Sequence, residues 1–317
     1  MKRLLLNILL ILPLFATSQA IPSKSENIAN LMTFSREAPS AWGDDDNVQT
    51  FFVFIPFDHE EPFYIRIFDP NIGGKLDAAY GDRVFNSTTK FSIYGGKGAH
   101  SDPDARKINP IGNYRSGKLL DSKTFDGSDK YDMKWFSFGP LDPVAGEYDE
   151  KLKGYLFKIL AEGVEGNDGN LYSYFISRKE NDNQEINGAN AFTYEYTFRL
   201  KYKGNVAHFY PFIDDEVIAI KQYNFDLDKD GKIKIYSTAK NGHNGEVSGD
   251  DMWNSSIHQI TEKEKNKCMD IQIHRDEQST NDVSLYVLNQ YDEAVKFFSS
   301  PLGTHKYVYQ FNVKPKD

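Results

Sequence analysis

Asp226, Asp228 and Asp230 stand at alternate positions in the segment Asn224-Phe225-Asp226-Leu227-Asp228-Lys229-Asp230-Gly231-Lys232-Ile233. Carboxylates on every second residue of a curved loop can converge on one hard cation at about 2.4 Å, a geometry that suits Ca²⁺ better than the smaller Mg²⁺. Gly231 allows a tight turn at the sixth position, and Lys232 can offer its backbone carbonyl at the seventh. At the twelfth position Ser237 replaces the bidentate Glu of an EF-hand, and the flanks are strand-like, so no helix pair is expected. The remaining ligands must come from elsewhere; Asp250 and Asp251, or Asp214, Asp215 and Glu216, are the candidates. A plainer reading is an Asp- and Gly-rich hairpin turn that caps its own N–H groups. That accounts for one or two of the Asp residues but not for their strict alternation, so calcium is the expected cofactor.

A second acidic set lies earlier in the chain. Asp69, Asn71 and Asp77 follow one apolar run, and Glu162, Glu165, Asp168 and Asn170 follow another. If the two loops meet at one end of a sandwich, Asp69, Asp77, Glu162 and Asp168 form a second divalent site; if not, they are solvated turns.

Enzyme motifs are missing from the sequence. There is no GxSxG elbow, HExxH zinc motif or GxGxxG dinucleotide loop. Gly112 to Lys118 approaches a phosphate loop, but Leu119 stands where the magnesium-binding hydroxyl belongs. Gly95-Gly96-Lys97-Gly98 is a candidate phosphate nest without a following helix. The seven histidines show no short ligand spacing, and Cys268, the only cysteine, reads as a small buried residue. A pair of carboxylates for glycoside hydrolysis is available by chance among 46 acids. The reading is therefore a noncatalytic protein, with a carbohydrate-binding module or carbohydrate-active enzyme as the alternative, Trp135, Trp253 and the tyrosines offering a stacking platform.

The elements that must position these residues are strands. From Phe192 to Lys203, aromatic or aliphatic residues alternate with polar ones, which predicts one long strand with its polar side in water. Tyr307, Tyr309, Phe311 and Val313 repeat the pattern near the end. Shorter runs occur at 50–55, 63–68, 90–94, 133–138, 155–161, 171–177, 216–225, 232–237, 269–274 and 284–289, separated by Gly-, Asn- and Asp-rich turns. Helix is expected only over 25–36, with a turn near 290–297. The pattern predicts an all-β chain of two tandem antiparallel β-sandwiches, jelly-roll or immunoglobulin-like. Residues 21–48 form a lead-in, 49–203 the first sandwich with a long loop near 95–130, and 205–317 the second sandwich carrying the Asp-rich loop.

Residues 1–20 begin with Lys2 and Arg3, continue through an apolar stretch from Leu4 to Phe15 and end in small residues at Ser18 and Ala20, the pattern of a secretory signal peptide. An exported chain in the periplasm, on the cell surface or secreted is expected, with no transmembrane span in the mature part. A single cysteine excludes an intrachain disulfide. Without residues 1–20, 35 basic groups face 46 acidic ones, a formal charge of −11. So acidic a surface argues against nucleic acid as a partner, because phosphate binding needs clustered Lys and Arg. A surface protein or a glycan is the expected partner.

The loop at 224–231 resembles the DxDxDG calcium loops of adhesive and extracellular repeat proteins. Together with Ser248-Gly249-Asp250-Asp251-Met252-Trp253 and the acidic turn at 162–170, it resembles exported bacterial two-domain β-sandwich proteins of unestablished function. That resemblance implies an extracytoplasmic bacterial setting and no catalytic residue.

Overall fold

A computed structural model describes residues 19–42, 47–79 and 84–303. Residues 1–18 of the expected signal segment 1–20, and the alternation from Tyr307 to Val313, lie outside the described residues. Within them the chain is all β, with four short 3₁₀ turns and no α-helix among the described residues. None of its helical segments is long and apolar enough to cross a membrane.

Eight strands form the largest sheet, in the order Trp253–Gln259, Ala219–Phe225, Asn281–Asn289, Glu195–Leu200, Leu31–Phe34, Gly169–Ser177, Phe63–Phe68, Trp135–Leu141. A second sheet runs Phe297–Phe298, Asn190–Thr193, Val48–Pro56, Gly154–Glu165, Thr88–Gly95, Lys118–Phe125, and Glu147–Asp149 also pairs with Gly154–Glu165. Val206–Phe209, Asp270–Arg275, Gly231–Tyr236 and Asn241–Gly245 make a third, and Phe212–Ile213 pairs with Lys267–Cys268. All the pairings are antiparallel.

Central strands are apolar on both sides because both sides are covered. In Gly154–Glu165 the consecutive residues Leu156, Phe157, Ile159, Leu160 and Ala161 are all buried, flanked by Val48–Pro56 and Thr88–Gly95. Lys158, in the middle of this run, is fully buried, and its Nζ donates to the carbonyls of Tyr114 (2.5 Å) and Ser116 (2.9 Å). That lysine anchors part of the segment expected to be a long loop. The segment is in fact structured, with the 3₁₀ turn Pro103–Arg106 and the strand Lys118–Phe125.

Three further expectations change. The helix expected over 25–36 is instead the strand Leu31–Phe34, wholly buried and paired on both edges, with Tyr172 and Phe198 opposite Leu31. The slot between two strands overrides local helical spacing there. The single strand expected from Phe192 is two strands in different sheets, Asn190–Thr193 and Glu195–Leu200, joined by a bend at Tyr194. The Thr193 hydroxyl lies 2.7 Å from the carbonyls of Thr50 and Glu195 and holds that bend. Thr193 and Thr197, expected in water, are buried because both faces of this region are packed.

The third concerns domain organisation. Gly204 does sit in a turn, with φ +91°. The largest sheet nevertheless crosses it, because Glu195–Leu200 pairs along its length with Asn281–Asn289. One apolar cluster joins Phe51, Phe157 and Ile67 to Ile220, Ile271 and Leu285. The stretch expected as a lead-in supplies a central strand, so the blocks on either side of Gly204 share a sheet and a core.

Candidate metal centre

Ala219–Phe225 and Trp253–Gln259 pair with Phe225 opposite Trp253, so the residues just beyond that rung, Asp226 on one side and Asp250 and Asp251 on the other, are brought together. One carboxylate oxygen from each of Asp226, Asp228 and Asp250 lies within 4.8 Å of the others, close enough to share an ion. Asp226 and Asp228 are partly buried and Asp250 is exposed.

Backbone geometry makes the convergence. Asp226, Asp228, Lys229 and Asp251 have φ of 56°, 55°, 59° and 50°, the left-handed region that Asp tolerates through its short polar side chain. Hydrogen bonds hold the two loops. The Leu227 N–H donates to Ser248 Oγ at 2.9 Å, the Lys229 N–H to the Ser248 carbonyl at 2.9 Å, and the Ser248 N–H to Asn224 Oδ1 at 2.8 Å. From a third strand, Asn281 Nδ2 donates to the Asp226 carbonyl and, at 3.0 Å, to Asp228 Oδ2. Neither Asn281 nor Ser248 has a spacing that marks it in the sequence; pairing alone brings Asn281 here.

Burial, reinforced by the neighbouring carboxylates Asp228, Asp251 and Asp250, pushes the Asp226 carboxyl up to about 6, against the Asp251 N–H that favours its charged form. Asp228 is raised by burial and then by the charge of Asp230, with Arg275 opposing. Like charges crowded in this way are relieved by a cation.

Other residues of the expected set take different positions. Asp230 lies outside the triad: its Oδ2 is 3.9 Å from Arg275 Nη2 and its carbonyl accepts from the Asp276 N–H. Asp251 contributes its N–H to Asp226 Oδ1 at 2.9 Å. Lys232 lies in the strand Gly231–Tyr236, with its Nζ 3.2 Å from Asp276. Gly231 is needed for a reason other than the turn: a Cβ there would fall 2.2 Å from the His274 carbonyl oxygen.

The two loops of the second acidic set do meet, but their four acids do not gather at one point. Asn170 Nδ2 donates to the Pro70 carbonyl at 3.0 Å, and the Leu171 N–H to Asp77 Oδ1 at 2.6 Å. Asp77 also takes the Gly73 N–H at 2.6 Å, while Asp69 Oδ1 takes that of Met133 at 3.0 Å. Glu162 instead pairs with Arg115, Nε to Oε1 2.8 Å, and accepts from Tyr114. Asp168 accepts from the Asn86 N–H at 2.9 Å and the Ser87 hydroxyl at 2.8 Å.

The remaining motifs resolve into structural roles. The nest at 95–98 is filled from within the chain, since Glu147 accepts the N–H groups of Gly98 (2.9 Å), His100 (2.6 Å) and Ser101 (2.9 Å). Burial pushes the Cys268 thiol up to about 12, unsuited to a nucleophile. Trp135 and Trp253 lie on opposite edge strands of the largest sheet and cannot share one platform.

No protein-family model matches the chain, and no curated protein matches it significantly. Among solved structures it is similar to a chain of the T13 IBDV viral particle, at 11% identity over 83% of this chain and 76% of that one, with a TM-score of 0.19. It is likewise similar to a chain of the infectious bursal disease virus Gx strain, at 10% identity over 92% and 80%, with a TM-score of 0.16. At such scores the likeness bears on neither fold nor function.

Proposed function

We propose that this chain is an exported, noncatalytic β-sandwich protein in which Ca²⁺, held by Asp226, Asp228 and Asp250, orders one sheet end for contact with a surface partner. The observation that carries the proposal is the convergence of three carboxylates from two loops, with Asn281 bracing them from a third strand. All the donors are oxygens, the class that Ca²⁺ prefers, and the triad leaves coordination positions for carbonyls, water or a ligand. The ion would neutralise Asp226 and Asp228 and tie the 226–230 and 248–252 loops together. Calorimetric titration with CaCl₂ tests this. The wild type is expected to bind one Ca²⁺ more than Asp228→Asn/Asp250→Asn and to gain several degrees more in thermal midpoint at saturating calcium than that variant does. Unchanged calcium binding in that variant would sink the assignment.

A second reading, glycan binding, is favoured by what adjoins the triad. Trp253 is 40% exposed and packs 5.1 Å from both Phe225 and Tyr286, and Tyr286 stacks on Tyr223 at 4.6 Å. An exposed indole beside a cation site is a place for a sugar ring to stack. A glycan array with a turnover assay separates the readings: glycan binding that Trp253→Ala abolishes, without turnover, supports a binding module, and turnover removes the noncatalytic one.

A further inference from the structure

The loop after Phe63–Phe68 gathers a different set of oxygens, far in sequence from the triad. Asp69, Asp77 and Asp132 surround it, and among the described residues none of the three makes an ion pair. Direct contacts tie the group together. Asp69 receives the Met133 N–H, Asp77 receives those of Gly73 and Leu171, Asn170 reaches the Pro70 carbonyl, and a Cβ on Gly74 would lie 2.3 Å from Asp132 Oδ1.

Three side-chain oxygens here are buried without a hydrogen-bond partner: Asp69 Oδ2, Asp132 Oδ1 and Asn170 Oδ1. Asp69 and Asn170 are both 0% exposed. The Asn170 amide cannot be turned round to supply a donor, because its Nδ2 already donates to Pro70 and a flip would set oxygen against oxygen. Buried polar atoms are normally satisfied, and here every unsatisfied atom is an acceptor. A group of orphan acceptors calls for a positive partner, and carboxylate and amide oxygens are the ligands of a hard cation.

We propose that Asp69, Asp132 and Asn170 supply oxygens to a second Ca²⁺ site, with Asp77 holding the loop through the Gly73 and Leu171 N–H groups. The ion would clamp the 69–77 loop to the strand Gly169–Ser177 and to the 126–134 connection. This site is independent of the one formed by Asp226, Asp228 and Asp250.

Calcium titration of the full chain tests it in a background that silences the triad, Asp228→Asn/Asp250→Asn. That background is expected to bind one Ca²⁺, and adding Asp69→Asn, which keeps an acceptor for the Met133 N–H, is expected to remove it. No calcium binding in the background, or binding untouched by Asp69→Asn, overturns the proposal. A measurement free of substitutions guards against misfolded variants: in wild-type crystals soaked with TbCl₃, an anomalous peak is expected between Asp69 Oδ2 and Asn170 Oδ1. Absence of that peak overturns the second site whether or not the triad is filled, and its presence with an empty triad upholds it while sinking the first.

Discussion

Glu26 shows how far the interior can move one group. It is buried, accepts from the Tyr196 hydroxyl at 2.7 Å and the Ser299 hydroxyl at 3.0 Å, and burial pushes its carboxyl from 4.5 up to about 8 against both of those bonds. The folded state therefore holds a proton that the unfolded chain releases near pH 4.5. Stability from this group is complete below pH 4.5, declines as pH rises and is gone above about 8. Glu26→Gln removes the ionisation while keeping the shape. We expect its melting temperature to exceed that of the wild type by on the order of 2–5 °C at pH 9 and to match it at pH 4.5, as differential scanning calorimetry would show. A gain of equal size at both values would contradict the assignment.

Among the elements, Gly231 connects the triad's loop to the sheet that starts beside it. Its lack of a side chain lets the strand Gly231–Tyr236 approach Asp270–Arg275, with Gly231 opposite Arg275 and the His274 carbonyl where a Cβ would stand. Gly231→Ala must open that ladder, and a loss of about 2–3 kcal/mol is expected by urea denaturation, the upper part of what overpacking costs. Gly204→Ala is the comparison. Its φ of +91° strains any side chain, but no atom lies within 4 Å of the added carbon, so about 1 kcal/mol is expected. Equal losses would show that backbone conformation rather than strand approach governs Gly231.

For the whole molecule the decisive feature is the sheet that crosses Gly204. Ala219–Phe225 and Asn281–Asn289, from beyond the turn, continue a sheet whose next members are Glu195–Leu200 and Leu31–Phe34. Val283, Leu285 and Val287 belong to the same apolar cluster as Phe198 and Phe51. Neither block can lose its strands without exposing the other's core. One cooperative transition is expected, with tryptophan fluorescence and far-ultraviolet circular dichroism changing at the same denaturant concentration. Trp135 and Trp253 report from opposite edges, and two separated transitions would indicate blocks that fold alone.

Much of this was legible in the residues themselves. Aromatic and β-branched runs at 63–68 and 171–177 marked the strands Phe63–Phe68 and Gly169–Ser177, because such side chains pack well on a pleated surface and turn residues bound each run. The Asp alternation marked the loop, and the acids at 250 and 251 were already candidates for its missing ligands. Tertiary structure alone decided which carboxylates face one another. It turned Asp230 toward Arg275, brought Asp250 in across a strand pair and set Asn281 behind them, since pairing between segments distant in sequence leaves no local spacing to read. It also decided that Leu31–Phe34 is a strand and that the alternation through Tyr194 bends between two sheets, because burial on both faces erases the polar and apolar contrast that marks an edge or a surface.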